Sequence, residues 1–341
     1  AARSILSWRS GKWTTICSDD WTPRLDQSGV RVSGVSNLVR GSVGAATAMF
    51  SVGTLAAISA VINRYPLYGG QALRYSLAAL ILLAVARRMG LGFVRPARRE
   101  LLLLLALATT GLVVFNVCVI QASRHASATL VGTVIGTVPV ILALVGPLLA
   151  GSRPSGRVLL AALVVVAGAT IATGLGSGSL AGLLYAIGAL VCEACFSLLA
   201  MPLLPRLGPI RVSAYSQVIA VPMLMVLGAV ADGTGMLRAP SAAEAAALLY
   251  LSTVVSAGAF FLWYDALPRL GADRAGLFAG VLPLGAIVTS SLLGLGAPTA
   301  AEVGGAALVV AGLATGLAPR RSRFPGAATA AAGQRRNASG A

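Results

Sequence analysis

Residues 131–168 read VGTVIGTVPVILALVGPLLAGSRPSGRVLLAALVVVAG, and residues 275–312 read AGLFAGVLPLGAIVTSSLLGLGAPTAAEVGGAALVVAG. Set one above the other at an offset of 144, the two stretches align without a gap. Gly132 falls on Gly276, Gly136 on Gly280, Pro139 on Pro283 and Pro154 on Pro298, and Val165-Val166-Ala167-Gly168 falls on Val309-Val310-Ala311-Gly312. The same offset carries Glu100 onto Glu244 and Thr109 onto Thr253. The chain is therefore internally repeated. Each copy holds five apolar spans, an odd number, so the second copy crosses a membrane in the opposite sense to the first. Inverted repeats of this kind belong to secondary transporters, which rock one half against the other around a central site.

Composition points the same way. Of 341 residues, 57% are hydrophobic and 11% charged, with a mean hydropathy of +0.86; soluble chains carry about a quarter charged residues. Forty glycines suit membrane helices, which pack closely through small residues. A formal charge of +16 suggests a nucleic-acid binder, but the basic residues lie in short stretches between apolar spans. With no basic face or recognition motif, nucleic acid is excluded as a partner. Cys192-x-x-Cys195 sits inside a span without a second pair or a nearby histidine, so it is read as packing rather than as a zinc or redox centre. Neither a metal nor a cofactor is expected.

A membrane helix needs about 20 mostly apolar residues, because in lipid it must satisfy its own backbone hydrogen bonds. Ten such spans are read at 43–62, 69–88, 101–121, 127–150, 158–176, 180–201, 210–230, 245–266, 275–295 and 303–318. The expected fold is an all-α integral membrane protein of ten transmembrane helices in two inverted five-helix repeats, 43–176 and 177–318. With the N-terminus inside, the cytoplasmic segments collect 22 arginines and lysines and the opposite side only Arg64, Arg124 and Arg238. That bias is the positive-inside pattern, and it puts both termini of a cell-membrane protein in the cytoplasm. Residues 1–42 are read as a disordered cytoplasmic extension without the apolar run of a signal peptide. Residues 319–341 are read as a disordered basic tail, on which the Asn337-Ala338-Ser339 sequon is inert.

Pro66 through Leu83, with Arg74 eight residues after the proline, resembles the P-x-x-x-x-x-x-x-R opening of the EamA-type transporters of the drug/metabolite transporter superfamily. Ala122 to Gly168, with its mid-helix Pro139, is similar to that family's fourth and fifth helices. Trp263-Tyr264-Asp265-Ala266 followed by Ala272 to Gly312 is similar to the corresponding part of the second repeat. One signature departs: the l-G-E glutamates after the fourth and ninth helices are replaced by Ala150-Gly151-Ser152-Arg153 and Leu295-Gly296-Ala297-Pro298. The resemblance implies a ten-helix carrier with helices five and ten peripheral, exporting amino acids, related metabolites or drugs, often by proton exchange.

Pro139 and Pro283 each remove a backbone donor in mid-span, so each is expected to kink its helix as a cavity-lining or hinge element. Gly132-x-x-x-Gly136 and Gly276-x-x-x-Gly280 are expected to pack helix four tightly against helix nine, as a pivot for rocking. Glu193 is an acid well inside the sixth span, where charge costs a few kcal/mol, and is the candidate for proton coupling or substrate binding. Asn116, Ser256, Gln217 and Tyr185 are polar residues in apolar spans, suited either to line the cavity or to bond between helices. Arg74 either extends its head group to the interface or stabilises an outer gate. Asp265 beside Arg269 reads as a loop salt bridge. His125 has no partner cluster for catalysis or metal binding, and no catalytic residue is assigned.

The reading is a secondary exporter of a small metabolite, such as an amino acid derivative, or of a drug-like compound. Its partners are the lipid bilayer, the small-molecule substrate and, as coupling ion, the proton. A channel or non-transporting scaffold is the alternative. An intramembrane enzyme is disfavoured, since the spans hold only Glu193 and Asp265 as acids and neither lysine nor histidine. No phosphate-binding G-x-x-x-x-G-K-[ST] loop is present.

Overall fold

A computed structural model describes residues 5–9, 12–16, 29–62, 64–294 and 298–318. The expected tail 319–341 and its sequon lie outside the described residues, as does most of the Gly296-Ala297-Pro298 turn. Near the N-terminus, β1 (Ile5–Arg9) and β2 (Lys12–Ile16) pair antiparallel, Trp8 opposite Trp13.

The first repeat runs α1 (Gly29–Gly53), α2 (Leu55–Ile62), α3 (Leu67–Arg88), α4 (Arg98–Leu107), α5 (Phe115–His125), α6 (Ala128–Ile135), α7 (Val138–Leu149) and α8 (Gly156–Thr173). The second runs α9 (Leu180–Leu198), α10 (Leu204–Asp232), α11 (Ala242–Tyr250), α12 (Phe260–Leu270), α13 (Ala272–Gly276), α14 (Leu282–Leu292) and α15 (Ala300–Leu317). Nine helical runs among the described residues are long and apolar enough to cross a membrane. The protein is a multi-pass helical membrane protein. Its first helix starts at Gly29, well upstream of the expected residue 43. Its part ahead of residue 43 is tied by side chains: Arg269 donates to Asn37 at 3.0 Å, and Arg40 pairs with Asp265 at 3.5 Å.

The breaks inside the spans come in pairs. α6 and α7 are separated at Gly136-Thr137, and Pro139 stands in the first turn of α7. α13 and α14 are separated by a 3-10 stretch over Leu277–Val281, and Pro283 stands in the first turn of α14. Both prolines thus start a helical segment after a tightened turn, where a missing N–H costs nothing. The third span of each repeat carries a π-helical stretch, Ala108–Val114 between α4 and α5, and Leu251–Ala259 between α11 and α12. π turns are rare and concentrate at functional sites. Gly208 (φ 73) and Gly271 (φ 82) hold the sharp turns inside α10 and between α12 and α13, in a backbone region that favours glycine.

Packing respects the repeat. α3 lies against α10, α8 against α15, and α7 against α13. The contact of α1 with α12 is mirrored by α5 with α9, and that of α3 with the second π stretch by α10 with the first. One hydrophobic core therefore spans both repeats, including Leu104, Leu112 and Leu142 from one and Leu203, Trp263 and Tyr264 from the other.

Of the four glycines expected to pack helix four against helix nine, only Gly276 does so. A Cβ added at Gly132 would meet nothing within 4 Å, and at Gly136 only its own helix. Gly280 faces Val165 and Val309, on α8 and α15. Gly276 does reach helix four, but against the Leu142 side chain. The break at Gly136 turns the glycine stripe of α6 away from helix nine, so the two halves meet further along, where Gly146 faces Ala272. A close, reciprocal backbone approach between repeats lies elsewhere. A Cβ on Gly53 of α1 would sit 2.1 Å from the Leu282 carbonyl oxygen, and one on Gly285 of α14 would sit 2.2 Å from that of Phe50.

Candidate transport site

Arg74 organises the polar interior at the end of the molecule away from the arginine-rich loops. Pro66 starts α3, and two glycines follow. Gly69 lies so close to the Met236 carbonyl that a Cβ there would sit 1.8 Å away. That approach draws α3 onto α10 and the 3-10 turn that follows it, and it carries Arg74, five residues along, between the helices. The side chain is 6% exposed. It does not extend to the interface as an arginine near a span end often does; its Nε donates to Ser256 Oγ, on the second π stretch.

Ser256 is fully buried and has a second partner: Gln217 Nε2, on α10, donates to its carbonyl oxygen at 2.9 Å. A π turn displaces the regular ladder, so its carbonyls are well placed to accept such side chains. Three residues picked from sequence, Arg74, Ser256 and Gln217, thus form one network joining α3, α10 and the π segment. Sequence reading missed Gln71, whose Oε1 accepts from Arg74 Nη1 at 3.3 Å. Its i, i+3 spacing to Arg74 was the available signal. Tyr75 also stacks under the guanidinium, 5.3 Å from its ring centroid.

The remaining candidates stand apart. Glu193 on α9 is half-buried and makes no hydrogen bond or ion pair among the described residues; it interacts electrostatically with Tyr264. Tyr264 is fully buried, stacked on Phe196 with ring centroids 5.1 Å apart, and its hydroxyl has no partner among the described residues. Asn116 does not cross to another helix: its Nδ2 donates back to the Leu112 carbonyl, the local bond open to short polar side chains in helices. Tyr185 lies outside the interior, 40% exposed and stacked on His125. Its place in the first turns of α9 explains this, since that end abuts the Ala126 turn. Cys192 lies near the thiol of Cys118 on α5, and the described cysteines are free.

At each end of the bundle, contacts that join the repeats gather around one of the two duplicated glutamates. Glu244 caps α11 with Ser241 and pairs with Arg238. Arg238 covers the Tyr65 ring at 4.9 Å, and Tyr65 Oη donates to the Arg238 carbonyl at 2.7 Å. At the other end Glu100 pairs with Arg206, whose Nη2 donates to the Arg95 carbonyl at 2.9 Å. Beside it, Arg211 Nη2 donates to the Gly92 carbonyl at 2.9 Å. The expected Asp265–Arg269 bridge is present at 2.8 Å.

Known proteins match this architecture. The profile of the EamA-like transporter family matches residues 39–174 and again 180–315, one match per repeat. The chain is 24% identical over 268 residues to an uncharacterized transporter, YetK, of Bacillus subtilis (strain 168), covering 75% of this chain and 81% of that protein. A solved crystal structure superposes with a TM-score of 0.73 at 20% identity, covering 82% of this chain and 98% of the other. With the family profile matched twice along its length, the chain belongs to the EamA-like transporter family and is a membrane transporter of the drug/metabolite transporter superfamily.

Proposed function

We propose that the chain is a secondary active exporter of a small metabolite or drug-like compound, working by alternating access in the cell membrane with both termini cytoplasmic. In this reading α1 and α2 form the tenth span, and the two five-helix repeats are inverted. The paired breaks carry the reading: each fourth span of a repeat is interrupted just before a proline at the duplicated position. Interrupted helices in corresponding places of two repeats are the mark of carriers that gate around a fixed site. The closures built on Glu100 and Glu244 would then be the inner and outer gates. Glu193, without a bonding partner, would carry the coupling proton.

The test is counterflow in proteoliposomes against a mixed panel of amines, neutral compounds and carboxylates, with internal pH recorded for wild type beside Glu193→Gln. Saturable counterflow is the expected result; flux that never saturates indicates a channel, and absence of flux a scaffold. Proton movement that depends on substrate and disappears in the folded Glu193→Gln protein supports coupling there. Unchanged proton movement removes Glu193 from the mechanism.

A further inference from the structure

Arg74 is a buried cation without a counter-ion. Among the described residues no carboxylate pairs with it; its Nε is used by Ser256 and one Nη1 bond by Gln71. A guanidinium has five N–H donors in a planar fork, so three remain, including both on Nη2. Burying such a group without an anion costs several kcal/mol. The mirrored contact, α10 against the first π stretch, holds no such charge: there Thr109 Oγ1 reaches Met223 Sδ at 3.8 Å. The repeat fold therefore does not require an arginine at this packing position.

The guanidinium borders a cavity of about 240 Å³. Leu55, Ile62, Leu67, Leu248 and Leu251 supply its apolar lining, and Gln71 and Tyr65 its other polar side chains. Among the described residues no acid lines it, so no anionic group there would pair with an ammonium. Resting on the transport reading above, we propose that this cavity binds a compact organic monocarboxylate. Arg74 holds the carboxylate through its free N–H pair, the geometry in which arginine outperforms lysine, while the leucines enclose an aliphatic or aromatic body. An α-amino group is not part of what the site recognises.

The experiment compares 4-methylpentanoate with its amide and with the matching amine, on the purified full-length chain in detergent. Binding is read by thermal shift and calorimetry, and transport by counterflow in proteoliposomes. The acid is expected to give a saturable shift, with the amide and amine at least about tenfold weaker, a difference of about 1.4 kcal/mol. Arg74→Gln is expected to abolish acid binding and Arg74→Lys to weaken it about tenfold or more. Leu248→Phe, which narrows the cavity and leaves every charge in place, is expected to weaken it as well, and decides the matter if Arg74→Gln does not fold. Equal binding of acid and amide, or acid binding that survives both Arg74→Lys and Leu248→Phe, overturns the proposal. Acid binding without counterflow of any panel member refutes the carrier reading and leaves the site standing. Counterflow of amines or neutral compounds, unaffected by Arg74→Lys, does the reverse.

Discussion

Replacing Gly53 with alanine forces apart two helix backbones, α1 and α14, that approach closely between the repeats. The new Cβ would sit 2.1 Å from the Leu282 carbonyl oxygen and 3.1 Å from the Gly285 Cα. Ordinary contact begins at 3.4 Å, so α1 and α14 must separate by about 1.3 Å or break a helical turn. Because the obstacle is backbone on a helix, no rotamer change relieves it. Overpacking of this kind costs about 1–3 kcal/mol, and the upper end, roughly a hundredfold in the unfolding equilibrium, is expected here. Gly285→Ala meets the Phe50 carbonyl at 2.2 Å and should cost a similar amount. Once one substitution has spread the helices the second has less to push against, so the double variant should fall short of the sum by at least about 0.5 kcal/mol. Gly132→Ala is the control: nothing lies within 4 Å of its added methyl, and alanine favours the helix by about 1 kcal/mol. Denaturation of the purified proteins in detergent measures all four. Equal losses at Gly53 and Gly132, or a larger loss at Gly132, would refute the placement of the inter-repeat contact.

Tyr65→Phe removes the bond to the Arg238 carbonyl at 2.7 Å and should cost about 1 kcal/mol by the same denaturation assay. If Tyr65 helps close the outer gate, external access of a cysteine placed in the cavity at Leu67 should also rise. Tyr264→Phe should leave stability unchanged or raise it by up to about 1 kcal/mol, since the buried hydroxyl it removes has no partner; a loss above that would mean the hydroxyl is bonded. Pro139→Ala and Pro283→Ala, which restore an N–H in the first turn of α7 and α14, should leave the folded yield intact. Each should slow counterflow by about tenfold, a barrier increase of about 1.4 kcal/mol, and unaltered rates in both would remove the breaks from the transport cycle.

Much of this architecture was legible in the chain. Apolar runs of about 20 residues read as membrane helices, and the 144-residue offset carries the repeat. The positions of the helical breaks followed from Pro139 and Pro283, because a missing donor has a local effect. Facing relationships were not legible. Gly132 and Gly276 are identical in type and register, yet one faces open space and the other Leu142, because the break between α6 and α7 rotates the stripe in a way that spacing does not encode. Arg74, Ser256 and Gln217 were each visible as polar residues in apolar spans, but their union across three elements required the close approach at Gly69. Tyr185 was misplaced for a related reason: a tyrosine in an apolar helix reads the same whether it faces the interior or the outside. The π stretches left no mark at all, since ATTGLVV and LSTVVSAGA carry nothing that distinguishes π from α hydrogen bonding.

Those two π stretches bear on the ancestry of the chain. A π turn holds an extra residue relative to an α turn and arises most simply from a one-residue insertion into an existing helix. Had one half gained its extra residue after the halves became separate, the offset between them would step by one at that point. It does not: Glu100 and Glu244 precede the stretches, Gly132 and Gly276 follow them, and both pairs are 144 residues apart. The two stretches therefore occupy matching positions in the repeat, with no unmatched insertion in either half between these pairs. The distortion is thus common to both copies, whereas a serine there that meets an arginine is found in the second alone among the described residues.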